Sequence, residues 1–181
     1  MSHYISANLG GKELVFSEGL NWRSISALSE SGWSIYDNYE DYSENETRKI
    51  DFQWPSEYNK GVSGSGSTST INHSMAKKAY KNAFVWALAF KQSFPGLYAE
   101  QYSRAVEIFR HTEEEFDHFL SVIALEDSKI EKELQELIKC QQALTEDEKE
   151  RAFGNFWRVI YFSFKIFVFT STGEEAEVHF S

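Results

Sequence analysis

KIFVFTSTGEEAEVHF, residues 165–180, decides how the sheet of this chain is built. Two runs of β-branched and aromatic residues, KIFVF and AEVHF, flank a polar TSTGEE stretch, which predicts a closing hairpin. The opposite end carries a matching signal. HYISAN and ELVF flank Leu9-Gly10-Gly11-Lys12 and read as a second small hairpin. Between the ends, apolar residues recur at helical spacing. The expected class is therefore α+β and helix-dominated, with four or five packed helices and a small antiparallel sheet from the terminal segments.

Working inward, Thr145 and Glu148 form a capping box that opens a helix through Phe153, Phe156, Trp157 and Ile160. Ahead of it, Ile130, Leu134, Leu137, Ile138 and Leu144 mark the buried stripe of another. From Leu97, apolar positions continue at three- and four-residue steps to Ile123, as one helix or as two with a fresh start at Thr112 and Glu115. MAKKAYKNAFVWALAFKQSF, 75–94, is a helix that Ser74 can cap and Pro95-Gly96 ends. Residues 20–28 suggest a short helix and KIDFQW, 49–54, a strand. The reading is of one domain, 1–181, in which a flexible Ser/Gly loop at 61–73 separates a mixed N-terminal part from a helical C-terminal part.

Composition bounds the function. The chain of 181 residues is 41% hydrophobic and 16% aromatic, ample for a packed core. It holds 18 basic and 28 acidic residues, a formal charge of −10. That balance disfavours direct binding to nucleic acid or an anionic membrane and suits a basic protein partner. MSHYISANLGGKEL has neither the basic start nor the apolar run of a signal peptide, and no stretch reaches the ~20 apolar residues of a membrane helix. The single cysteine, Cys140, excludes an internal disulfide, so a cytoplasmic location is expected.

One segment combines charge with contact area. WSIYDNYEDYSENE, 33–46, holds Asp37, Glu40, Asp41, Glu44 and Glu46 with no base, and Trp33, Tyr36, Tyr39 and Tyr42 at steps of three. Tyrosines supply rigid amphipathic anchors and carboxylates steer a basic partner towards them. The expected partner-binding residues are Trp33, Tyr36, Asp37, Tyr39, Glu40, Asp41, Tyr42 and Glu44, on a toxin-immunity or nuclease-inhibitor type of protein. The reading leans away from catalysis and implies no cofactor.

Two other readings stand beside it. GVSGSGST, 61–68, has the glycine spacing of a phosphate loop, but Ser67 replaces its lysine and no apolar strand precedes it. What survives is an anion or phospholigand module at 61–81 using Lys77, Lys78 and Lys81 near a helix start. Arg104-x6-His111 resembles the R-x4–6-H motif of the helical HEPN ribonucleases at these two positions, with Ala105 where that family commonly carries a polar residue. The resemblance implies a helical-bundle ribonuclease or nucleotide-processing enzyme using Arg104 and His111; a match of this size is frequent by chance, and the family is not assigned. His111, Glu115 and His118 share a helix face, yet three ligands from one helix rarely converge on one ion, so no metal is expected. Cys140 has no activating neighbour in sequence and reads as an ordinary thiol.

Overall fold

The computed structural model describes residues 3–20, 24, 67–108 and 130–180. In chain order these form β1 (His3–Leu9), β2 (Lys12–Leu20), β3 (Ser67–Ile71), α1 (His73–Ser93), α2 (Pro95–Ile108), α3 (Ile130–Gln142), α4 (Glu146–Phe153), α5 (Phe156–Thr170) and β4 (Ala176–Phe180). The α+β class holds, and the described sheet is antiparallel with order β2-β1-β4-β3.

The first hairpin forms where the sequence places it. Gly10 and Gly11 are its two-residue turn, with φ of +63° and +87°, the backbone that a tight turn between right-twisted strands needs. Gly10 also lies against α5: a Cβ there would come within 3.2 Å of the Phe169 ring. Strand β4 then joins the hairpin by pairing Ala7 with Val178 and Ser6 with His179. The terminal segments do meet in one sheet.

The predicted hairpin over 165–180 does not form. KIFVF is the last turn and a half of α5, and only Ala176–Phe180 is a strand. The residues of α5 are buried nearly all round, among them Val159, Ile160, Phe162, Phe164 and Ile166. One side of the helix packs on β1, β2 and β4, and other sides pack on α1 and α2. A helix enclosed in this way needs apolar residues at every bearing, and its composition then mimics a strand's. TSTG is its C-terminal cap: Ser171 Oγ donates to the Val168 carbonyl at 2.6 Å, Thr172 Oγ1 to that of Phe169 at 2.8 Å, and Gly173 turns away at φ +90°.

The Ser/Gly tract is corrected in part. Residues 61–66 lie outside the described residues, but 67–71 are strand β3, which pairs Ile71 with Ala176 and Thr70 with Glu177. Ile71 is buried at the sheet's inner face, which gives this polar strand an anchor that its composition hides. Helix α1 starts earlier than Ser74. Asn72 is its cap, Oδ1 accepting from the Met75 amide at 3.0 Å. Pro95 ends α1 as expected and at once opens α2.

Packing between helices is aromatic. Trp86 and Phe90 on α1 meet Phe153 on α4 and Phe156 on α5, and the Phe90 and Phe153 rings stack at 3.9 Å. Tyr80 stacks on Phe167 at 5.1 Å. Gln141 of α3, fully buried, donates to the Trp86 carbonyl at 3.2 Å and fastens α3 to α1. The expected helix from Thr145 through Ile160 is divided by Gly154-Asn155 into α4 and α5.

Candidate functional site

The capping box at the start of α4 is complete. Thr145 Oγ1 accepts from the Glu148 amide at 3.2 Å and Glu148 Oε2 accepts from the Thr145 amide at 2.9 Å. Glu146, Asp147 and Glu148 fill the first turn, where the helix dipole favours carboxylates. Across from them runs α2, beginning at Pro95 with Gly96, Leu97 and Tyr98. Phe94 and Tyr98 pack on Phe153 and Phe156, and this holds the two helices to a common core.

A groove of about 700 Å³ lies between α2 and α4. Leu97, Gln101 and Arg104 line it from α2, one row at four- and three-residue steps, with Glu100 beside them. Glu146, Asp147, Lys149 and Glu150 line it from α4. Arg104 pairs with Glu100 at 3.3 Å, Asp147 with Arg151 at 2.8 Å and Lys149 with Glu146 at 3.5 Å. Lys149 also sits 4.3 Å from the Phe94 ring centre. Among the described residues Glu150 has no ion-pair partner. The polar lining is acidic on balance, four carboxylates against two bases.

At the groove wall Gln101 is 6% exposed, and among the described residues its enclosed Oε1 has no hydrogen-bond partner. Sequence reasoning did not single out Gln101 or Glu150. The available signal was a glutamine on the row between Leu97 and Arg104, a polar residue where the helical pattern calls for an apolar one.

Arg104 is exposed and engaged by Glu100, an ordinary surface pair one turn apart. His111, Glu115 and His118 lie outside the described residues, and the pairing of Arg104 with His111 lies outside them too. Lys77 and Lys78 are exposed and Lys81 half-buried on α1, and Asn72 already occupies the Met75 amide that an anion at this helix start would use. Cys140 is half-buried on α3. Among the described residues no three His, Cys, Asp or Glu side chains gather as a metal site, and no helix is long and apolar enough to cross a membrane. Trp33, Tyr36, Asp37, Tyr39, Glu40, Asp41, Tyr42 and Glu44 all lie outside the described residues, as do the predicted strand at 49–54 and, apart from Ser24, the predicted helix at 20–28 beyond β2.

The face of the sheet turned away from α5 carries a second polar group. Tyr4 donates to Glu13 Oε1 at 2.6 Å, and Glu177 and His179 approach at 3.9 Å on the neighbouring strand. The Tyr4 bond, with Ser6 and the charge of His179 adding to it, holds the Glu13 carboxyl below the usual carboxylate range.

No protein family, no curated protein and no solved structure matches this chain.

Proposed function

We infer that this chain is a binding protein of the cytoplasm that occludes a basic protein partner, in the manner of a toxin-immunity or nuclease-inhibitor protein. The observation that carries the reading is the 33–46 segment, five carboxylates without a base among four aromatic rings, in a chain of charge −10. The acidic lining of the α2–α4 groove agrees with it. Carboxylates placed where a nuclease expects phosphates block its site and speed encounter, and aromatic anchors prolong the complex. No cofactor is required.

The test begins with capture of partners from native lysate at low and high salt, followed by binding kinetics on the partner obtained. Neutralising Asp37, Glu40, Asp41 and Glu44 together slows association and flattens its salt dependence. Tyr39→Ala speeds dissociation, a loss of about 2 kcal/mol for an interface anchor. A Tyr39→Ala variant that melts earlier but binds unchanged overturns the reading, because the ring then serves packing.

A further inference from the structure

Strand β3 is an edge of the sheet, and among the described residues only β4 pairs with it. In an antiparallel ladder alternate residues turn their N–H and C=O groups away from the paired neighbour, so β3 carries a row of such groups on its other side. Thr70 is exposed, as are Asn72, His73 and Ser74 just beyond it, so water reaches the Ile71 end of this edge. An open edge is a template for a further strand, and proteins guard it with charge, proline or a bulge. The opposite edge, β2, is guarded. Lys12, Glu13 and Glu18 lie along it, and the register it shares with β1 shifts twice between His3 and Ser6. STSTI has no charged residue and no proline, and its register with β4 is unbroken.

The surroundings select the kind of strand that fits. From Ser171 to Ser181, the chain beside this edge carries Glu174, Glu175 and Glu177 and no lysine or arginine. All three carboxylates are exposed, with His179 at 3.9 Å from Glu177. A strand added to β3 lies about 10 Å from β4, about one Debye length. Beside buried Ile71 it needs an apolar residue, and beside exposed Thr70 a basic one in the field of those carboxylates. A second copy of this chain would bring the same carboxylates and is disfavoured.

We propose that β3 accepts an extended segment of the basic partner as an added strand, paired through the backbone, with apolar residues turned inward and lysine or arginine outward. The proposal rests on the basic-partner reading and adds a contact separate from residues 33–46.

The test uses the full chain and a fluorescently labelled heptapeptide, Lys-Val-Lys-Val-Lys-Val-Lys, with binding read by anisotropy and its location by amide hydrogen exchange. Two further forms carry backbone N-methyl groups, on the valines in one and on the inner lysines in the other. Successive residues face opposite edges of a strand, so methylation in one phase blocks pairing with β3 and in the other leaves it open. One form is expected to bind about 10-fold more weakly, the other within about 2-fold of the parent. All three peptides carry the same charge, so bulk attraction does not produce that difference. With the parent bound, the amides of β3 exchange more slowly and those of β2 do not change. Glu175→Gln with Glu177→Gln, at two exposed positions, is expected to weaken binding about 3-fold. Equal affinity for the two methylated forms, or slowed exchange at β2 in place of β3, overturns the edge. So does a parent peptide that does not bind. Unchanged affinity in the double variant overturns the choice of a basic strand, as does a chain that sediments as a dimer with its β3 amides already protected. The proposed function is judged apart, on the captured partner: unchanged binding after Asp37, Glu40, Asp41 and Glu44 are neutralised overturns that reading and leaves the peptide result as it stands.

Discussion

Tyr4 and Glu13 show how one hydroxyl sets the protonation of a surface carboxyl. The Tyr4 hydroxyl donates to Glu13 Oε1, and the carboxyl titrates below its ordinary value for that reason first. A carboxyl lowered in the folded state contributes stability above its unfolded value and loses that contribution as pH falls through the lowered folded value. Tyr4→Phe therefore moves the Glu13 titration upward, back towards the usual range. Its stability deficit against the wild type is present at neutral pH and closes in acid. Carboxyl NMR titration and urea unfolding at several pH values check this; a deficit that is the same at every pH rejects the assignment. Neither residue could be paired from sequence, since Tyr4 meets Glu13 only after the Gly10-Gly11 turn folds the strands together. The Thr145–Glu148 box was readable because its two bonds span three residues.

At the scale of elements, local signals and packing divide the outcome. Thr145→Ala removes the acceptor for the Glu148 amide and costs about 1 kcal/mol. The expected result is a lower urea midpoint with an unchanged slope, and faster amide exchange confined to the start of α4. A change in slope, or faster exchange across α5, shows a wider role than capping. The fate of KIFVF illustrates the other side. Phe162, Phe164 and Ile166 would suit a strand, but each is buried around a helix that has the sheet on one side and α1 and α2 on others. Intrinsic strand preference is worth less than that burial, and the helix wins. STSTI runs the same argument in reverse, a polar stretch made into a strand because β4 offers a paired edge and Ile71 an inward anchor.

Across the whole molecule, β4 closes the architecture. It lies between β1 from one end of the chain and β3 from its middle, with Ala176 and Val178 fully buried. Removing residues 176–181 takes from β3 the ladder it makes among the described residues, takes from β1 one of its two, and strips α5 of part of the sheet that covers it. The total stability of a domain is only about 5–15 kcal/mol, so the truncated chain is expected to lose its cooperative melting transition and its near-ultraviolet circular dichroism. A truncated chain that melts cooperatively within a few degrees of the full one contradicts the central place given to β4. By itself the sequence determined the class of the fold, the first hairpin, the bodies of α1 to α4, the first turns of α5 and the capping box, because turns, caps and amphipathic stripes act over a few residues. It also determined the charge of −10 from which the basic-partner proposal follows. Only the tertiary structure decided that 165–170 is helix, that 67–71 is strand, and that Gln101 of α2 and Glu150 of α4 line one groove. Those outcomes depend on what surrounds each residue in space, and burial and long-range pairing outweigh local preference wherever the two disagree.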